Sequence, residues 1–104
     1  MAEPELLLIQ QAQRGDRAAM TELITAQQRY VYSVAMSLMR SPTDAADLTQ
    51  EAFIRLLRAL PSYRGETRFT TWLYRLVRNA CLTVLRHQRL GPPSINASTG
   101  RTRR

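Results

Sequence analysis

Apolar residues recur along this chain at helical spacing, and no segment alternates with the period of a strand. The clearest stretch runs from Thr67 to Arg89, TRFTTWLYRLVRNACLTVLRHQR. At roughly 100° per residue, Phe69, Leu73, Leu76, Val77, Ala80 and Val84 fall within one arc. Arg75, Arg78, Arg86 and Arg89 fall on the opposite side with Thr71, Asn79 and Leu82, and Trp72 lies at the seam. The pattern predicts one long helix with a face for a core and a face of fixed positive charge.

Three further helices are predicted upstream. Pro4 to Arg14 is a short one, with Leu6, Leu7, Ile9 and Leu8 as its apolar side and Gly15 placed to end it. Asp16 suits the N-cap of a second helix from about Arg17 to Arg40, whose buried side holds Met20, Leu23, Ile24, Tyr30, Val31, Val34 and Leu38. Ser41-Pro42-Thr43-Asp44 is a start signal: a capping hydroxyl, a proline at the first helical position and an acid at the positive end of the dipole. This third helix should reach Leu60, where Pro61 stops it. Leu48, Ala52, Phe53, Leu56, Ala59 and Leu60 form its core side. Asp47, Gln50, Glu51, Ile54, Arg55 and Arg58 share the other side, with Ile54 as an apolar centre in a polar rim, the pattern of a small protein-binding patch as well as of a stray exposed residue. The loop Pro61 to Glu66 follows, with Gly65 free to take a left-handed backbone and Thr67 as a cap for the last helix. Tyr63 in that loop fits either a core plug or a stacking surface. The expected fold is all-α, a compact bundle of about four helices over residues 1–90. Residues 91–104, GPPSINASTGRTRR, read as a linker-like, disordered basic tail.

Composition narrows the function. The chain has 104 residues, one Cys, one His and a net charge of +7. All 15 basic residues are Arg, and they are unevenly spread: residues 1–60 hold six against seven acids, residues 61–104 nine against one. A neutral half joined to a basic half points to a polyanion on one side. Cys81 has no partner for an internal disulfide and fits a reduced packing position. No run of about 18 apolar residues is present to span a membrane, and the start lacks a signal peptide, so a cytoplasmic location is expected.

The chemistry of catalysis is missing. One Cys and one His cannot make a metal cluster, no Gly-rich phosphate loop occurs, and no nucleophile stands with a base and an orienting group. The expectation is a non-enzyme without metal or cofactor. Nucleic-acid binding fits better. The Arg row has no acid on its own helix to neutralise it, the preceding loop offers a ring and backbone donors suited to unpaired bases, and Asn79 carries a donor and an acceptor for a base edge.

Taken as one string, DAADLTQEAFIRLLRALPSYRGETRFTTWLYRLVRNACLTVLR resembles the second conserved region of bacterial sigma factors of the extracytoplasmic-function group, over about Asp44 to Arg89. The resemblance implies that Asp47, Gln50, Glu51, Ile54 and Arg58 dock on the β′ clamp helices of RNA polymerase. It implies that a loop of Tyr63, Arg64, Gly65, Glu66 and Thr67 captures a flipped non-template base of the promoter minus-ten element. Phe69, Thr71, Arg75, Arg78 and Asn79, with Arg86, would complete the pocket and contact phosphates. An anti-sigma factor is a further implied partner. Only Trp72 and Tyr74 stand where primary sigma factors carry extra melting aromatics, which implies reliance on base capture and strict promoter choice. The family's second DNA-binding domain, a helix-turn-helix, has no counterpart after Leu90. Two other readings remain: an adaptor that binds a regulatory protein through the third helix, and a non-specific basic nucleic-acid binder.

Overall fold

The computed structural model describes residues 3–90, with side chains as far as His87. The two strongest start signals act as expected. The Asp16 carboxylate accepts the amide of Ala19 at 3.0 Å and opens helix α2, Arg17–Leu38. The Ser41 hydroxyl accepts the amide of Asp44 at 3.1 Å and opens helix α3, Pro42–Ala59. Each cap satisfies a donor that the first helical turn leaves without a partner. Before them, helix α1 covers Leu6–Gln13, and Gly15 ends the segment at φ 95°, a left-handed geometry that a side chain would strain. After α3 the chain tightens into a 3-10 turn, Leu60–Ser62, and helix α4 runs from Phe69 to Leu90.

The described residues thus form four α-helices and no strand, the all-α bundle expected. α2 packs against the other three helices, and α3 lies between α2 and α4. The core is one cluster. Leu23 and Val31 of α2, Leu48 and Leu56 of α3, Leu60, and Phe69, Leu73 and Val77 of α4 are all fully buried. Burying a Leu or Phe side chain stabilises by roughly 1.5–3 kcal/mol, so these positions hold the helices together. Ala45, Ala52 and Ala80 are also closed to solvent, and their small side chains let neighbouring helices approach closely. Cys81 is buried with its Sγ 3.6 Å from the Met39 Sδ, and burial pushes its thiol pKa up, away from reactivity.

Several boundaries and faces differ from expectation. α2 stops at Leu38 rather than Arg40, because Met39 turns extended (φ −112°, ψ 160°) to reach the cap at Ser41 while keeping its own side chain in the core. α4 begins at Phe69 rather than Thr67. Leu6 and Leu7 do not form the packed side of α1: each is 61% exposed, and Ile9 and Ala12 are the buried pair. α2 also buries a polar residue, Gln27, whose Oε1 has no hydrogen-bond partner among the described residues; nothing in the structure explains it. The side chain of Arg89 and the tail 91–104, expected to be disordered, lie outside the described residues.

Candidate nucleic-acid interface

The segment joining α3 to α4 is anchored by side chains from elsewhere. Leu60 drives into the core at its start. The Gln13 amide of α1 then donates to two backbone carbonyls, Leu60 at 3.0 Å and Tyr63 at 2.7 Å. The Tyr63 ring packs edge-on against Phe69, with centroids 5.4 Å apart, and tilted against Trp72 at 5.0 Å; Phe69 and Trp72 lie 5.5 Å apart. Contacts of this geometry contribute about 0.5–1.5 kcal/mol each beyond area burial. The Tyr63 hydroxyl donates to the Thr67 carbonyl, which closes the loop on itself. Of the two roles open for Tyr63, the structure supports the plug: its ring is half-buried as part of the loop's foundation. Between these anchors, Arg64, Gly65 and Glu66 are exposed, and Gly65 takes φ 79° at the bend.

The start of α4 has an unexpected cap. Its first amides, Phe69 and Thr70, donate to the carboxylate of Glu3, with Thr70 at 3.0 Å, and the Thr70 hydroxyl donates at 2.9 Å. Thr67, expected as the cap, lies one residue too early: α4 starts at Phe69, the capping position falls on Arg68, and Glu3 supplies the acceptor. Arg68 adds an ion pair to Glu3 at 3.8 Å. It is 70% exposed, so this pair is worth little. Burial raises the Glu3 pKa, but the bonds from Thr70 and Phe69 and the Arg68 charge outweigh it and hold the group below its ordinary value. The Tyr30 hydroxyl donates to the Thr70 carbonyl at 3.3 Å and ties the same turn to α2.

Along α4, Thr71, Arg75, Arg78, Asn79 and Arg86 are all exposed on the face expected of them. Among the described residues, Arg75, Arg78 and Arg86 make no ion pair. Their charge is therefore available to an anion. Phe69 is the exception in the set: it is fully buried and presents no surface, so it supports the loop from beneath rather than touching a ligand.

The second predicted set does not stay together. Gln50 and Ile54 line an apolar groove between α2 and α3 with Ile24, Gln28, Tyr32, Thr49 and Phe53. Glu51 and Arg58 line a different groove, between α3 and α4, with Trp72, Arg75, Leu76 and Asn79. The split has a simple cause. α3 lies between two helices, so one polar arc borders a groove on each side. Asp47 is exposed on the same helix. Arg55 bridges the second groove. It bonds Glu51 at 3.0 Å and donates to the Thr83 hydroxyl at 2.6 Å, tying α3 to α4. Glu3, Gln13 and Thr83 have no role in the sequence pattern, although each makes a contact here. For Thr83 the signal was a polar residue beside the apolar stripe, and for Glu3 it was a first turn of α4 without an acid of its own.

Among the described residues, no three His, Cys, Asp or Glu side chains gather where they could hold a metal ion. No described helix is long and apolar enough to cross a membrane.

Comparison with known proteins adds three findings. Residues 23–90 match the family described as Sigma-70 region 2. The chain is 40% identical over 88 residues to the ECF RNA polymerase sigma-E factor of Escherichia coli strain K12, which covers 85% of this chain and 46% of that protein. It is 34% identical over 91 residues to the RNA polymerase sigma-H factor of Pseudomonas aeruginosa, covering 88% and 47%. It thus spans about half the length of the curated relatives it matches. Among solved structures it is similar to an engineered region 2 of sigmaE in complex with GTAAAA, determined by NMR. The TM-score is 0.73 at 35% identity, covering 86% of this chain and 95% of that one.

Proposed function

Because the chain belongs to the sigma-70 region 2 family of the ECF type, we propose that it recognises and opens the minus-ten element of a promoter by capturing an unstacked non-template base. The observation that carries this reading is the anchored loop beside the unpaired Arg row. A single strand needs a fixed surface for its bases and mobile cations for its backbone, and here the two lie side by side. Arg64, Gly65, Glu66 and Thr67, founded on Tyr63, form one wall of the base site. Asn79 supplies both a donor and an acceptor to a base edge, and the Glu66 carboxylate accepts from an exocyclic amine. Arg75, Arg78 and Arg86, with Thr71, take the phosphates. Unpairing and unstacking one base costs a few kcal/mol, so the site must return at least that much on capture. A loop already ordered before binding lowers the entropy lost when the base arrives. The work is binding rather than catalysis.

The α2–α3 groove takes the protein partner in this reading. Ile54, 44% exposed, is its apolar centre, with Gln50 beside it and Asp47 exposed two turns earlier on the same helix. An exposed apolar centre with a polar rim is how a protein interface is built. The β′ clamp helices of RNA polymerase are the proposed occupant, and an anti-sigma protein would compete for the same face. Glu51 and Arg58 pass to the α3–α4 groove, where Arg58 adds to the cationic side.

The test is a fluorescence titration with single-stranded hexanucleotides, GTAAAA and its single-base variants. The proposal expects some positions to discriminate between bases and others to be neutral. Equal affinity across the whole panel would leave only a non-specific basic binder and refute it.

A further inference from the structure

The loop that receives the base in this reading is held at both ends by two residues from the start of the chain. They lie 47 to 67 positions away in sequence and upstream of the residues that match the family. Gln13 grips its entry through the carbonyls of Leu60 and Tyr63. Glu3 grips its exit through the amides of Phe69 and Thr70 and the Thr70 hydroxyl. Within the segment itself, the Tyr63 hydroxyl bonds the Thr67 carbonyl and the Tyr63 amide bonds the Leu60 carbonyl at 3.0 Å. The exposed bend Arg64–Glu66 thus hangs between two external clamps.

Glu3 does a second thing. The amino end of a helix is a site that attracts anions. Here the protein's own carboxylate fills it, 28% exposed and 3.8 Å from the Arg68 guanidinium. A nucleic-acid phosphate cannot use those amides while Glu3 holds them. The backbone is directed instead to Arg75, Arg78 and Arg86.

We propose that Glu3 and Gln13 are positioning residues for base discrimination. They fix the 60–70 segment in its receiving shape, and Glu3 also denies the start of α4 to phosphates. The role rests on the base-capture reading of the loop. It separates specificity from affinity: losing Glu3 should weaken the choice between bases while leaving, or strengthening, the grip on any strand.

The experiment uses the full 104-residue chain with Glu3→Ala, Glu3→Gln and Gln13→Ala against the same hexanucleotide panel, together with amide exchange at Phe69 and Thr70 and melting temperature. In Glu3→Ala the ratio of best to worst hexanucleotide should fall by about threefold to tenfold, since ordering the loop then opposes binding. Affinity for the worst hexanucleotide should hold or rise, because a negative charge has left the start of α4 and its amides are open to a phosphate. Glu3→Gln keeps one acceptor oxygen and should fall between. Gln13→Ala should lower the ratio without raising affinity for the worst hexanucleotide, since it removes no charge. An unchanged ratio in Glu3→Ala with faster exchange at Phe69 and Thr70 would overturn the proposal. So would a parallel loss of affinity for every hexanucleotide in both alanine variants, which marks simple destabilisation. A wild-type chain that does not discriminate would instead sink the base-capture reading itself, with the clamps left as structure alone.

Discussion

The loop between α3 and α4 and the groove between α2 and α3 are built by opposite means. The groove takes its shape from side chains on two continuous helices, whose backbones are satisfied within themselves. The loop has no such support. It depends on a buried aromatic ring, a glutamine and a carboxylate brought from other parts of the chain. A partner helix needs an apolar surface of fixed outline, and rigid helices supply one directly. An unstacked base needs backbone donors in an irregular arrangement, and those exist only where the chain leaves regular structure. The difference teaches where each face is vulnerable. The groove fails through its surface, and the loop fails through its supports.

The largest effect should come from removing the deepest support. Phe69→Ala deletes a fully buried ring under Tyr63 and Trp72 and should cost about 3–5 kcal/mol of stability in urea unfolding. Nucleic-acid binding should weaken with it, although Phe69 itself is fully buried. A stability loss below about 1 kcal/mol would mean that the ring does not support the loop.

Ile54→Glu is the contrasting case. An exposed residue can be changed with little effect on folding, so the melting temperature should barely move. Binding to a fragment of the β′ clamp helices should drop by roughly 2 kcal/mol or more, as for a central interface residue. Retained pull-down would move the interface off this groove.

A finer contrast lies within α4. Asn79→Ala should reduce discrimination between bases by roughly 1–3 kcal/mol, the scale of a paired base-edge contact. Arg78→Ala should weaken every hexanucleotide alike and lower the salt slope by about 0.7, the value for one phosphate on a single strand. Titrations at two salt concentrations separate the two. The same signature from both variants would dissolve the division between reading and holding.

How much of this was legible beforehand follows the range of each interaction. Asp16, Ser41-Pro42 and Pro61 act on neighbouring residues, and the helix ends they predict stand close to where they were expected. The apolar stripe of α4 also held, since Phe69, Leu73, Val77 and Ala80 are all buried. The run Leu6–Ile9 predicts no particular face, because four consecutive apolar residues have no period, and the structure buries only Ile9 of them fully. The outer face of α3 is one arc on a helical wheel but borders two grooves in the fold, because the wheel does not show the neighbouring helices. The Glu3 cap could not be read locally: Glu66 and Thr67 are near α4 in sequence, yet the carboxylate that caps it comes from 66 residues away. The residues proposed for the base site share an exposed face of α4 that periodicity alone can show, while the contacts that support the loop come from distant parts of the chain.

The smallest expected effect tests that distant cap through pH. Glu3 is held below its ordinary pKa of 4.5 in the folded chain. Its contribution is therefore complete above the unfolded value and is lost as pH falls through the lower folded one. The groups facing it are the Arg68 guanidinium and the phenols of Tyr30 and Tyr63, and burial pushes both phenols up, further from that range. Unfolding followed from pH 6 down to 3 should show a loss of stability in wild type that is reduced in Glu3→Gln. Identical acid limbs would remove the carboxylate from the account.

The most direct measurement is an NMR titration of the chain with GTAAAA, following every backbone amide. Two separate faces require that shifts concentrate in residues 63–72 and along the Arg75–Arg78–Asn79 side of α4. Ile24, Tyr32, Gln50 and Ile54 should remain still. Shifts centred on the α2–α3 groove, or spread evenly over all basic surface, would contradict the division of labour proposed for this molecule.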